Sequence, residues 1–126
     1  MAVAVEAHYG PAYLGVSNFS ATLAELVATR AKALGKPTER VMDIGCGAGR
    51  ATFELARHFA YALGVDFSTR FFRVAVELKA RGVVCGALPE EGERTVEVGR
   101  RIAEVAPHLT ADVMERTEFM QVSCRV

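Results

Sequence analysis

The feature that most constrains this chain is the segment Val41–Arg50, which reads Val-Met-Asp-Ile-Gly-Cys-Gly-Ala-Gly-Arg. A short apolar run bounded by glycine predicts a buried strand over Arg40–Ile44, and the apolar spacing over Gly49–Phe59 predicts a helix. A strand that enters a helix through three glycines is typical of the first turn of a βαβ unit. A parallel sheet follows when that unit is repeated.

The rest of the chain continues this alternation of helices and short apolar strands. The other predicted strands are Tyr61–Phe67, Val83–Leu88 and Thr117–Cys124. The other predicted helices are Ser20–Leu34, a helix that Ser68 caps and Gly82 ends, and Thr95–Ala106. The sequence therefore predicts one α/β domain over residues 1–126, with a Rossmann-like, doubly wound parallel sheet of about four strands.

Composition narrows the class of protein. The chain has 126 residues, of which 51% are hydrophobic and 24% charged, which argues against a disordered protein and allows one domain. The formal net charge is zero, which argues against a nucleic-acid partner, and no apolar run is long enough for a membrane span. The first residues lack a basic region, so we expect no secretory signal. The three widely separated cysteines predict reduced thiols in a cytoplasmic protein, without a metal site.

The three glycines and a later acidic residue predict a ligand site. Ligands of open parallel sheets bind at the carboxyl ends of the strands, where this glycine turn falls. Asp66 ends the second predicted strand about 20 residues after Gly45, where a carboxylate accepts hydrogen bonds from ribose hydroxyls. Phe67 would offer its ring to an adenine. Two other interpretations stay open, namely a glycine turn without a ligand and a dinucleotide site, although the bulky Arg50 stands where the dinucleotide pattern requires glycine or alanine.

The pattern Asp-x-Gly-x-Gly-x-Gly, which begins at Asp43, resembles motif I of the class I S-adenosylmethionine-dependent methyltransferases. The resemblance implies S-adenosylmethionine as cofactor, with the glycines along its methionine and ribose and Asp43 near its amino end. Cys46 lies within this loop, and Ser68 follows Phe67. The candidate cofactor-binding residues are therefore Asp43, Gly45, Cys46, Gly47, Gly49, Asp66, Phe67 and Ser68.

A narrower resemblance covers roughly residues 6 to 121. The segments that carry it are His8-Tyr9-Gly10, Asn18-Phe19, the run from Gly49 to Arg57, the run from Gly64 to Phe71, and Ala87-Leu88-Pro89-Glu90-Glu91-Gly92-Glu93. Together they are similar to the C-terminal methyltransferase domain of ovothiol synthases, which act on 4-mercaptohistidine. The resemblance implies methyl transfer to an imidazole nitrogen of a small thiol-histidine. It identifies no catalytic residue.

Two departures from that family lead to further expectations. The family has at least three more strands, so we expect a truncated fold with little turnover. Gln121-Val122-Ser123 stands where the family's fourth strand has Gln-Gly-Asp, so Ser123 replaces the aspartate that reads the adenine amino group. A non-catalytic binding remnant or partner subunit is the alternative function. In the family's strand order Thr117–Cys124 would lie beside Arg40–Ile44 with its other edge open, which predicts self-association.

Overall fold

The computed structural model describes residues 2–89 and 94–123. The helices are α1 (Ala2–Tyr9), α2 (Phe19–Ala33), α3 (Arg50–Leu55), α4 (Thr69–Arg81), α5 (Ile102–Val105) and α6 (Ala111–Glu115), with a 3-10 turn at Tyr13–Gly15. The strands are β1 (Arg40–Ile44), β2 (Tyr61–Asp66), β3 (Val83–Pro89), β4 (Thr95–Arg101) and β5 (Thr117–Gln121). In the part of the chain that these residues cover, no helix is long and apolar enough to cross a membrane.

A parallel sheet of three strands, in the order β1-β2-β5, forms the centre of the fold. The register pairs Asp43 with Gly64 and Gly64 with Phe119 across the three strands. Helix α3 connects β1 to β2, and the segment that begins with α4 connects β2 to β5, so both crossovers step in the same direction across the sheet. Right-handed crossovers of this kind place α3 and α4 on the same face. The predicted α/β class with a Rossmann-like parallel sheet is confirmed.

The position predicted for the last strand is wrong. Strand β5 pairs with β2, not with β1, so it lies at the edge of the sheet opposite β1. The strand also ends at Gln121, and Cys124 lies outside the described residues. The local apolar pattern located the strand correctly, but it carries no information about which neighbour supplies the backbone hydrogen bonds.

The segment between α4 and β5 also differs from the prediction. Strand β3 does not join the parallel sheet but pairs antiparallel with β4, so that Val83 lies opposite Arg101. The helix predicted over Thr95–Ala106 is therefore mostly a strand, followed by the single turn of α5. Three of its first four residues, Thr-Val-Glu-Val, are β-branched, which favours a strand. This hairpin packs against α1 and α4.

The helix-covered face of the sheet holds the core. Phe53 of α3 is fully buried and meets Phe119 of β5 edge to face, with ring centroids 5.4 Å apart. Gly64 leaves room for this contact, because a Cβ there would lie 2.8 Å from the Phe119 ring. Helix α4 ends as predicted at Gly82, which adopts the left-handed conformation that glycine tolerates.

The opposite face of the sheet carries exposed apolar side chains. Along β1 the exposed residues alternate with half-buried ones, and Ile44 is 80% exposed, with Met42 and Met120 also exposed. Strand β1 has no pairing partner on its outer side among the described residues. Parallel sheets are ordinarily covered on both faces, and unpaired strand edges recruit further strands. The sheet is therefore open along β1, whereas the sequence predicted an open edge only at the last strand.

We propose that a second copy of the chain covers this edge and face. Light scattering across a concentration series is expected to show a mass that rises above that of the monomer. Met42→Lys places a charge on the exposed face and is expected to shift the mass toward the monomer. Val76→Lys, which changes an exposed residue of α4, serves as the control. A monomeric mass at every concentration for the unsubstituted chain contradicts the proposal.

A buried ion-pair cluster joins α3 to the segment before α6. Arg50 is only 5% exposed, and its Nε donates to Glu54 Oε1 at 2.8 Å. His108 Nε2 lies 2.8 Å from the same oxygen, and Arg57 Nη1 lies 3.1 Å from Oε2. Burial raises the pKa of Glu54, but the hydrogen bonds from His108 and Arg50 outweigh it, so the pKa is lowered overall.

Glu54→Gln is expected to lower the free energy of unfolding by about 3 kcal/mol near pH 7, because it leaves the Arg50 cation buried without its counter-ion. Because the folded-state pKa of Glu54 is depressed, the stabilisation is present above the unfolded-state pKa of about 4.5 and is lost as the pH falls through the folded-state value. Urea unfolding between pH 3 and pH 7 measures both effects. Glu25→Gln, at an exposed pair with Arg57, should cost less than about 1 kcal/mol. Equal losses for the two variants contradict the prediction.

Candidate functional site

The glycine turn between β1 and α3 has the conformation that its glycines permit. Gly45, Gly47 and Gly49 all have positive φ angles, between 53° and 83°, which other residues adopt only with strain. Gly49 is also required for packing, since a Cβ there would lie 2.4 Å from Ala75 Cβ of α4. A Cβ on Gly45 would meet nothing within 4 Å, so this part of the loop borders open space at the carboxyl end of the sheet.

The Asp66 carboxylate joins the glycine turn to the start of α4. Its Oδ2 accepts a hydrogen bond from the Gly47 N–H at 2.9 Å, and its Oδ1 accepts one from the Ser68 N–H at 2.8 Å. The residue is 7% exposed. Each carboxylate oxygen has two lone pairs, so both retain acceptor capacity after these bonds. Ser68 occupies the N-cap position of α4 as predicted, but its side chain makes no capping bond, and its N–H donates to Asp66 instead.

Asp43 lies on the other side of the turn, in the last part of β1. Its Oδ2 accepts a hydrogen bond from the Thr52 hydroxyl at 2.6 Å. Thr52 is fully buried on α3, so this bond connects the strand to the helix across the glycine turn. One role of Asp43 is therefore to fix the loop.

Cys46 is buried inside the loop with a thiol that stays protonated. Burial, followed by the negative charges of Asp43 and Asp66, raises its pKa to about 12. A thiol is a weak nucleophile without its thiolate form. Cys46 therefore fills space in the loop, and the arrangement gives it no nucleophilic role.

The remaining candidates lie beside Asp66 at the same end of the sheet. The Phe67 ring is exposed, and its carbonyl accepts a hydrogen bond from Gln121 Nε2 at 3.1 Å. Val122 follows β5, and its N–H donates to the Asp66 carbonyl at 3.0 Å. Ser123, the next residue, is exposed near these groups. The structure thus brings the glycine turn, Asp66, Phe67 and Ser123 to a single edge.

The N-terminal helix contributes residues that the sequence did not assign to the loop. The Tyr9 hydroxyl donates to the Ala48 carbonyl at 2.7 Å, and the Tyr9 side chain is fully buried. Burial raises the pKa of Tyr9 well above its usual value, so the phenol stays protonated and keeps this bond. Arg50 Nη1 donates to the His8 carbonyl at 3.1 Å. Contacts across some 40 residues leave no local pattern in the sequence, so the contacts of α1 with the glycine turn were not predictable from the His8-Tyr9 pair alone.

Comparison with known families agrees with this geometry. Residues 41–94 match the sequence model of a family described as a methyltransferase domain. Over these residues the match supports the resemblance to class I S-adenosylmethionine-dependent methyltransferases. The matched segment begins in β1 and includes the glycine turn, Asp66 and the residues that follow it, so all the candidate cofactor-binding residues lie within it. No curated protein matches the chain at a significant level.

Proposed function

We propose that the chain binds S-adenosylmethionine at the glycine turn and transfers its methyl group to an imidazole nitrogen of a small thiol-histidine in the cytoplasm. The observation that carries the cofactor part is the bond from the Gly47 N–H to Asp66, which brings the glycine turn and the ribose-type acceptor together. The acceptor part rests on the resemblance to the ovothiol synthases. The proposed cofactor-binding residues are those predicted from the sequence, with Asp43 and Cys46 shaping the loop.

S-Adenosylmethionine supplies an electrophilic methyl group on its sulfur, and the protein has mainly to align it with the nucleophile. The imidazole nitrogen forms the new bond to carbon as the bond from carbon to sulfur breaks, and the imidazole then loses a proton. The chain contributes orientation. The Asp66 oxygens accept from the ribose hydroxyls, and the glycine backbone allows the ligand to approach the loop closely.

A cavity of about 430 Å³ offers a place for the methyl acceptor. Arg50 borders both this cavity and the glycine turn, and the lining also includes Asn18, Arg100 and Glu104. The volume falls in the range of small-molecule sites. A lining with charges of both signs suits the ammonium and carboxylate groups of an amino acid. We propose this cavity as the acceptor site.

The first test is ligand preference. Calorimetric titration is expected to show binding of S-adenosylhomocysteine and weak or no binding of NAD. Asp66→Ala is expected to weaken binding of S-adenosylhomocysteine by about 1–3 kcal/mol, because the hydrogen bonds to the ribose and the bond that supports the Gly47 amide are both lost. Glu77→Ala, which changes a carboxylate paired with Arg81 on the surface of α4, is the control and should bind normally. Binding of NAD alone contradicts the proposal.

A variant that is expected to bind S-adenosylhomocysteine more tightly tests the same proposal independently. Ser123→Asp introduces an acidic residue at the edge of the sheet that also holds Asp66 and Phe67. If the adenine lies beside Phe67 and Ser123, the new carboxylate accepts from its amino group, and affinity for S-adenosylhomocysteine should rise about fivefold, corresponding to about 1 kcal/mol. Unchanged or reduced affinity would place the adenine elsewhere.

The second test is methyl transfer itself. The chain, in molar excess over a labelled methyl donor, is incubated with 4-mercaptohistidine, and the product is identified by mass spectrometry. A methyl group on an imidazole nitrogen is the expected result, at low yield, and histidine without the thiol serves as the control acceptor. Tight binding of S-adenosylhomocysteine without any methylated product would contradict the catalytic part and favour the non-catalytic alternative.

A further inference from the structure

Hydrogen bonds from two side chains fix the backbone of His8 beside the glycine turn. Its carbonyl accepts hydrogen bonds from Asn18 Nδ2 at 3.0 Å and from Arg50 Nη1 at 3.1 Å. The next residue, Tyr9, is fixed to the Ala48 carbonyl. One turn earlier, Glu6 pairs with Arg100 of the β3–β4 hairpin at 2.7 Å. The position of the imidazole is therefore determined by contacts on three sides of α1.

The ring of His8 faces Gly47. A Cβ built on Gly47 would lie 3.3 Å from both Cε1 and Nε2 of His8, so the bare glycine leaves the edge of the ring against the loop. The Nδ1 atom accepts a hydrogen bond from the Arg50 N–H, at 3.4 Å. Nε2 has no hydrogen-bond partner within residues 2–89 and 94–123. The ring is only partly buried, so it remains accessible to a ligand.

The hydrogen bond at Nδ1 assigns the tautomer. Burial lowers the pKa of His8, Asp43 raises it, and Arg50 lowers it, with a lowered value as the result, so the ring is neutral at pH 7. A neutral imidazole has one donor and one acceptor nitrogen. Since Nδ1 accepts, the proton is on Nε2, which presents an N–H donor at the glycine turn.

The ligand proposed above has two ends of different chemistry. Asp66, an acceptor, suits the ribose hydroxyls, whereas the carboxylate of the methionine part needs donors. His8 and Asp66 both approach Gly47, the former with a donor and the latter with an acceptor. We propose that the His8 Nε2–H group binds the carboxylate of S-adenosylmethionine, an inference that rests on the proposed function. Helix α1 is then part of the cofactor site.

Two substitutions at His8 test the roles of the two ring nitrogens separately. Asn at position 8 can accept from the Arg50 N–H as Nδ1 does, but its side chain is too short to reach the Nε2 position. Gln can donate near the Nε2 position. His8→Asn is therefore expected to weaken binding of S-adenosylhomocysteine about tenfold, and His8→Gln by less, because a hydrogen bond to a charged group is lost only in the former. Urea unfolding of both variants verifies that they fold.

A truncated ligand makes the test specific. 5′-Methylthioadenosine keeps the adenosine part but lacks the amino-acid end, so its affinity, measured by calorimetry, should not change in His8→Asn. If His8→Asn weakens both ligands equally, or neither, His8 does not touch the carboxylate and the inference fails while the proposed function stands. If the unsubstituted chain binds neither ligand, the proposed function fails and this inference with it. If neither variant folds, Gly47→Ala, which crowds the ring, must weaken S-adenosylhomocysteine more than methylthioadenosine, or the inference fails.

Discussion

The bidentate role of Asp66 is the constraint on which the rest of the site depends. One buried carboxylate binds an amide of the glycine turn and an amide at the start of α4, so the ends of β1 and β2 are fixed relative to each other. Hydrogen bonds to a charged group are stronger than those between neutral groups, which suits a loop whose glycines otherwise favour disorder. The same oxygens have the capacity to accept from a ligand. The Asp66 side chain therefore orders the loop and is also placed to recognise the ligand.

The glycine turn and Asp66 were predictable because their signals are local. A short apolar strand, glycines at fixed spacing and an acidic residue at the end of the next strand define βαβ geometry from sequence alone. The helix Phe19–Ala33 was also predictable, over Ser20–Leu34, although its buried residues are Ser20, Ala24 and Ala28, and its large apolar side chains, such as Phe19 and Leu26, are exposed. In each case one contiguous segment contains all the information.

Pairing between distant segments was not predictable in the same way. Strand β5 was recognised as a strand, but its partner depends on whether β3 enters the sheet. Because β3 instead pairs with β4, the third place in the sheet is left to β5. The error in strand order thus follows directly from interpreting Thr95–Ala106 as a helix. The burial of Arg50 was not predictable for a related reason, since one of its partners, the His8 carbonyl, is distant in sequence.

Arg50 also explains how the loop departs from a dinucleotide-binding turn. That pattern requires a small residue at this position for close packing of helix against strand. Here the small residue stands one position earlier, where Gly49 packs against Ala75 of α4 and Phe119 of β5, and the Arg50 side chain instead turns toward Glu54 and α1. Its amide and its guanidinium both bind His8. The residue that disfavours a dinucleotide is thus the one that fixes the N-terminal helix against the glycine turn, and with it the imidazole that we assign to the cofactor.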